Sequence, residues 1–405
     1  MDDSLYFGEQ QLAVRDMVRS FAKDHVAPVA AHFDDVSEFP WENIKKMGEL
    51  GLLGVPWSED MGGAGFDTLS YIIAIHEMSK VCASHGITIS AHTTLGTSPI
   101  VNFGTKEQIA KYVPHLASGR VLGGFGLTEE SAGSDAGGTR TTAVKNGDHY
   151  ILNGSKRFIT HAGVGEIFVV TAVTDPTKGT KGISSFILTK PTVDVALCDQ
   201  IGMGHEPSLP AMAGFTSGRK EDKLGWRASD TRELLFDNVI VPEENLLGTE
   251  GLGFVNFMKT LDAGRVGIAA LSLGIAEGAF QAALEYAAQR KQFGKAIASF
   301  QGIAFQLSDM ATEIEAAKHL VYHAAWLSAN NKPYSKEAAF AKLFASELAM
   351  RVTIKSIQIH GGYGYTKDYP VERYMRDAKI CEIGEGTSEV QRMVIARHLL
   401  KGLMT

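Results

Sequence analysis

At 405 residues the chain is longer than one hydrophobic core usually supports, so two or three domains should share it. Its 44% hydrophobic and 21% charged residues exclude a mainly disordered protein. A formal charge of -7 argues against broad binding to nucleic acid or an anionic membrane, while leaving small anionic ligands open.

The opening stretch, MDDSLYFGEQ, lacks the basic and apolar regions of a signal peptide, and no membrane-length apolar run is expected further on. These features point to the cytoplasm, or to the mitochondrial matrix if a transit peptide was removed. Val14, Met17, Val18, Phe21, Ala22 and Val26 recur at three- and four-residue spacing and predict one face of an amphipathic helix. Helical texture continues to about residue 120, broken at Met61–Gly65, which reads as a surface loop. After Val121 the texture becomes β. Strands are predicted at His149–Leu152 and Ser155–Thr160 around a hairpin turn at Asn153-Gly154, then at Phe168–Thr174 and Gly182–Leu188. From Gly251 helical periodicity returns, for example at Leu307, Met310, Ala311, Ile314, Ala317, Val321 and Ala324, with Gly361–Gly364 as the main interruption. The implied division is 1–122 helical, 123–245 β and 246–405 a helical bundle.

Common catalytic signatures are absent: no GxxxxGKS/T loop, no GxGxxG after a strand, no HExxH and no GxSxG. Cys82, Cys198 and Cys381 lie far apart without a CxxC pair, so no disulfide framework is indicated and a reducing compartment fits. The thirteen histidines form no cluster at metal-site spacing, so no metal is expected.

Two segments carry chemistry instead. In Gly126–Gly138, GLTEESAGSDAGG, small residues and hydroxyls would allow a ligand close to the backbone, although a turn-rich loop has the same composition. In the second, Gln358–Tyr365 is followed by Arg373, Arg376, Asp377 and Glu382–Glu389, where glycines flank acidic residues between two helices. That pattern would present a carboxylate at a cleft, but spacing alone does not choose among the glutamates.

These segments resemble the signatures of the acyl-CoA dehydrogenase family. GLTEESAGSDAGG is similar to its flavin-loop motif, QIHGGYGYTKDYPVERYMRD to its C-terminal motif, and GEGTSEVQR to the segment with the catalytic glutamate. RKQFGKAIASFQGIAFQLSDM at 290–310 and ELLFDNVIVPEENLLG at 233–248 extend the resemblance to essentially the whole chain. The resemblance implies an α+β multidomain fold: an N-terminal α-helical domain, a central β-barrel-like domain and a C-terminal four-helix bundle. It also implies a homotetramer, a dimer of dimers, with FAD near the dimer interface. Phe125, Leu127, Thr128, Phe158 and Thr160 are expected against the flavin ring, with Gly133 and Ser134 nearby. Arg290, Gln292, Phe293, Gln301, Gln358 and Gly362 are expected on the pyrophosphate and adenosine end of FAD bound mainly by the neighbouring subunit, and Thr387 and Glu389 complete the set. Ser134, Arg265, Gly384 and Gly386 are the implied substrate contacts.

By the same resemblance Glu385 is the base that removes the pro-R α-proton of an acyl-CoA, while the β-hydrogen leaves as hydride to flavin N5 and a trans-2-enoyl-CoA forms. The thioester oxygen would be held by the backbone N–H of the glutamate and a flavin ribityl hydroxyl. Some members carry the base at the position of Gly264 in Leu261–Arg265, where this chain has no carboxylate. The arginine of glutaryl-CoA dehydrogenases would fall near Gly86 and is missing, which disfavours a dicarboxylic substrate. The run Ile89–Leu95 is similar to bacterial butyryl-CoA dehydrogenases, whereas Gly384 replaces the tyrosine of straight-chain members and opens room for a branched or cyclic acyl group. An insertion of roughly twenty residues between Pro191 and Gly214 reads as a solvated loop, with a lid or a partner contact as the alternative. Electron-transferring flavoprotein is the implied acceptor. The alternatives are a non-catalytic or repurposed FAD scaffold on the same fold, an acyl-CoA oxidase, whose members are usually much longer, and an enoyl-CoA reductase running the reaction backwards.

Overall fold

The computed structural model describes residues 5–192 and 209–403. Helices α1 (Glu9–Phe21), α2 (Ala27–Val36), α3 (Trp41–Glu49), α4 (Thr68–Ser79), α5 (Ala83–Ser90), α6 (Ser98–Phe103) and α7 (Lys106–Ala117) open the chain. Val14, Val18, Phe21, Ala22 and Val26 are buried, with Met17 half-buried beside them, so the expected apolar face is the one that packs. Asp67 caps α4 by accepting from Ser70 N at 2.7 Å, and Thr105 and Gln108 form a reciprocal cap on α7.

Strands β1 (Gly123–Gly126), β2 (Thr142–Asn146), β3 (His149–Thr160), β4 (Ile167–Val173), β5 (Ile183–Thr189), β6 (Phe215–Lys220), β7 (Thr231–Pro242) and β8 (Leu246–Leu247) follow. Their order in the sheet is β6-β7-β3-β2-β4-β5-β8, with β1 added parallel to β4. Tyr150, Leu152, Phe168, Phe186 and Phe236 fill its core. The expected hairpin at Asn153-Gly154 does not form. β3 runs straight through it against β7, with a register shift at Gly154, whose φ of 138° belongs to a bulge. The tight turn is instead Gly147-Asp148, which joins Asn146 to its partner His149, with Gly147 at φ 63°. Both sites offer an Asn-Gly pair, and cross-strand pairing of β3 with β7 decides between them.

The C-terminal part comprises α8 (Gly253–Gln289), a small hairpin of β9 (Lys291–Gln292) and β10 (Lys295–Ala296), then α9 (Gln301–Ala329), α10 (Ser335–His360), α11 (Val371–Lys379) and α12 (Ser388–Leu400). The face predicted for α9 is buried except at Ala311, which points to solvent. At 37 residues, α8 is long and apolar enough to cross a membrane by length and composition, which corrects the expectation that no such run exists. In this fold it is mostly buried, packing on α4, α9 and α10. It approaches α4 closely because Gly274 and Gly278 lie against His76 O and Lys80 O, where a Cβ would come within 2.5 and 2.3 Å. The loop between α11 and α12 also lies against α8, at Gly264.

Candidate active site

Glu385 sits in that loop in the left-handed region, at φ 53°, followed by Gly386 at φ 94°. Such a conformation costs a non-glycine residue about 1–3 kcal/mol and persists only when surrounding contacts hold it. Two side chains supply them. Lys342 of α10 donates to Gly386 O at 2.7 Å, and Gln391 of α12 donates from Nε2 to Gly386 O at 2.9 Å and to Glu385 O at 3.3 Å. Part of Glu385 is accessible, but its Oε2 is sealed from solvent and accepts no hydrogen bond. Burial pushes the carboxyl up to about 7, against the opposing pull of Lys342 and Arg265. A Cβ at Gly264 would fall 1.9 Å from Oε2, so the carboxyl occupies the space a side chain there would need.

On either side of Gly264, Ala263 and Val266 line a cavity of about 870 Å³. Its walls come from α4 (Thr68, Tyr71), the turn Ala91–Thr97 (Thr93, Thr94), α6 (Ser98, Asn102), the α9–α10 connection (Lys332, Tyr334) and the start of α10 (Lys336). Ala263 and Val266, the hydroxyls of Tyr71, Thr93, Thr94 and Ser98, and the cations Lys332 and Lys336 suit a ligand with an apolar part and an anionic group. Asp262 also lines the cavity and binds Arg265, and Ser335 donates to the same carboxylate at 2.9 Å. Arg265 is buried with its Nε unpaired, and is held by Asp262 rather than lining the cavity itself. Gly86 is also buried, and a Cβ there would meet Ser79 Oγ at 2.0 Å, so an arginine has no room at that position. At Gly384 a Cβ would have Ile380 O at 3.5 Å as its nearest neighbour, which leaves space for a side chain this chain lacks.

The residues expected around a flavin ring meet along β1 and β3. Thr128 O accepts from Arg157 N at 2.7 Å, which sets Leu127 and Thr128 beside Phe158. Phe158 is 65% exposed at φ 57°, within the register shift of β3 against β7 between Lys156 and Ile159, so its ring faces solvent rather than the core. Phe125 is buried and stacked on Phe257, with ring centroids 3.8 Å apart. Thr160 ends β3 and is half-buried, whereas Gly133 and Ser134 are exposed. Behind the loop Glu129 accepts from Lys156 Nζ at 2.7 Å, Arg140 N at 2.7 Å and Thr141 N at 3.0 Å, and Lys156 also donates to Leu127 O at 3.2 Å.

A second group gathers at the far end of α8. The Arg290 guanidinium lies 5.7 Å over the ring of Tyr363, which follows Gly362, and Gln358 is exposed in the last turn of α10. Phe293, 93% exposed, meets the ring of Phe300, next to Gln301 at the start of α9. Gln292 is exposed on the hairpin. Thr387 caps α12 by accepting from Val390 N at 3.3 Å, and Glu389 is exposed in its first turn. An exposed aromatic ring beside two hydroxyl residues, and a separate exposed cluster of arginine, glutamines and glycines, fit a flavin ring and a pyrophosphate respectively. The insertion, with Cys198, Met203, His205 and Glu206, lies outside the described residues for most of its length.

Sequence reading missed Lys342, Gln391 and Tyr71. Lys342 did leave a signal: it is the one cation in AAFAKLFAS, at helical spacing with the buried Ala338, Ala345 and Ala349.

The acyl-CoA dehydrogenase N-terminal, middle and C-terminal domain families match residues 8–120, 124–239 and 251–400. The short-chain-specific acyl-CoA dehydrogenase of Clostridium acetobutylicum is 53% identical over 393 residues, covering 97% of this chain and 98% of its own. The chain belongs to the acyl-CoA dehydrogenase family. As a member it is an oxidoreductase acting on acyl-CoA, in a family of flavoproteins. The caffeyl-CoA reductase-Etf complex subunit CarC of Acetobacterium woodii is 44% identical, over 98% of this chain and 100% of its own. The solved butyryl-CoA dehydrogenase of Megasphaera elsdenii superposes with a TM-score of 0.91 at 46% identity, over 97% of this chain and 99% of that one.

Proposed function

We propose that this enzyme dehydrogenates a short- or branched-chain acyl-CoA to the trans-2-enoyl-CoA, with Glu385 as the base. The observation that carries the reading is the Glu385 carboxyl: sealed at Oε2, unpaired there, raised to about 7 and set against Gly264 of α8, the residue next to the cavity-lining Ala263. A base that titrates near neutrality is matched to proton abstraction at neutral pH. Glu385 takes the α-proton, and desolvation by a bound acyl chain strengthens it further. Lys332 and Lys336 meet the anionic end of the CoA thioester, while Tyr71, Thr94 and Val266 bound its acyl end. FAD, when bound, supplies the hydride acceptor. Phe125, Leu127, Thr128, Phe158 and Thr160 would hold its ring, and Arg290, Gln292, Phe293, Gln301, Gln358 and Gly362 the phosphate end of a neighbour's. The exposed apolar side chains Phe293, Phe305, Met393 and Leu399 favour the homotetramer in which that sharing occurs. Residues 1–122, 123–245 and 246–405 are its proposed domains.

The room at Gly384 favours a branched or cyclic acyl group alongside butyryl. The relationship to a protein named as a subunit of a reductase-Etf complex favours electron-transferring flavoprotein as partner, and keeps enoyl-CoA reduction as a second reading of direction. Anaerobic titration of the yellow protein with butyryl-, isobutyryl-, isovaleryl- and cyclohexanecarboxyl-CoA tests the reading through loss of flavin absorbance. Wild type should bleach with at least one of them, and Glu385→Gln should keep its FAD and bleach at least 1,000-fold more slowly, on the order of the loss of a catalytic base. Bleaching of Glu385→Gln at the wild-type rate would remove Glu385 from the role.

A further inference from the structure

Lys342 is fully buried on α10 among Ala338, Ala341, Ala345, Ser346 and Ala349. A buried ammonium is expensive unless a partner compensates it, and a neutral side chain would serve a helix packed this way better. Its hydrogen bond is to Gly386 O at 2.7 Å, a neutral carbonyl in the turn that carries Glu385. The other charges facing the carboxyl are committed elsewhere. Arg265, from α8, pairs with Asp262, and Tyr71, from α4, donates its hydroxyl to Ser90 O at 3.2 Å. Of the groups on the Glu385 segment itself, Cys381 stays a buried thiol and Glu382 pairs with Lys379 at 2.5 Å. Lys342 and Arg265 both favour the ionised Glu385 carboxyl, and of the two Lys342 is the one that also bonds the turn carrying it.

We propose that Lys342 is a positioning residue for the base: it clamps the Gly386 carbonyl to keep the left-handed turn that sets Glu385 against Gly264, and its charge favours the ionised carboxyl. This inference rests on Glu385 being the base. It adds that the reactivity of Glu385 is set from a helix 43 residues earlier in the sequence, beyond the loop itself.

The test uses FAD-loaded wild type, Lys342→Met, Lys342→Gln and Glu385→Gln. Lys342→Gln keeps a donor for Gly386 O without the charge, so it should fold even if the methionine variant does not. Two readouts are followed against pH: the rate of flavin reduction by butyryl-CoA, and the infrared band of the protonated carboxyl that disappears in Glu385→Gln. Removing the charge should move the midpoint of both upward by about one pH unit or more in either neutral variant, and slow reduction at pH 6 about tenfold. FAD content should stay at the wild-type level. A merely structural lysine would lower FAD content and thermal stability and leave both midpoints where they are, and that result overturns the proposal. If Glu385→Gln keeps the acidic limb and full reduction, the reading of Glu385 as base fails first and this inference falls with it.

Discussion

Glu385 combines a backbone shape that glycine usually takes with a carboxyl that holds its proton near neutrality, and each property has a measurable consequence. The folded carboxyl, at about 7, binds its proton more tightly than an unfolded glutamate near 4.5. The folded state therefore holds more protons between those values, and stability falls as pH rises through that window. Glutamine has no proton to lose. Glu385→Gln should unfold with nearly the same free energy as wild type at pH 4 and be more stable by about 3 kcal/mol at pH 8, as read by urea denaturation. Gly264→Ala tests the contact from the other side. Its methyl would enter the space of Oε2, while alanine favours a helix by about 1 kcal/mol over glycine. The variant should reduce flavin at least tenfold more slowly, on the order of the loss from a misplaced reacting group, without losing thermal stability. The strained φ itself is not written in the residues beside it. It is imposed by Lys342, 44 positions before the carbonyl it holds, and by Gln391.

At the scale of elements, the loop after β1 is anchored from behind by a buried ion pair. Burial opposes ionisation of Glu129, but the charge of Lys156 and the donors of Thr139 and Thr141 outweigh it and hold the carboxyl near 2. Lys156 is in turn drawn down to about 8 by its own burial, and near neutrality both partners remain charged. Lys156→Met leaves Glu129 buried without its cation and should cost about 3–5 kcal/mol, with Leu127 O released and FAD retention weakened, read by unfolding and by flavin released on gel filtration. In wild type the contribution of Glu129 is present above about 4.5 and is lost as pH falls towards 2. Much at this scale was legible. The apolar spacing of Val14 to Val26 and of Leu307 to Ala324 marks helix faces that do pack, because their period is that of the helix itself. The hairpin was not legible. Asn146-Gly147 and Asn153-Gly154 carry the same local signal, and only the long pairing of β3 with β7 separates a turn from a bulge. The flavin-loop and glutamate motifs were legible through resemblance, whereas the cavity is built from α4, α6, α8 and residues around the α9–α10 connection, whose residues carry no common motif.

Across the whole molecule, α11 ties together segments distant in sequence. Arg376 donates to Asp34 from Nη2 at 2.6 Å and to Glu372 from Nε at 2.7 Å, and Asp377 next to it accepts from Trp226 N at 2.6 Å. Arg376→Met strips the buried Asp34 of its cation, so the free energy of unfolding read from urea denaturation should fall by on the order of 2–4 kcal/mol. Helix α8 imposes a different kind of constraint. Along its 37 residues, roughly 55 Å, it presents Gly253 to β5, Gly264 to the carboxyl, and Gly274 and Gly278 to α4. One residue inserted between Gly264 and Gly274 would turn everything beyond it by about 100° and shift it by about 1.5 Å, so the two contacts could no longer be made together. The helix thus works as a graduated rod. Substitutions along its outer face can accumulate freely, but changes in chain length must be absorbed outside it.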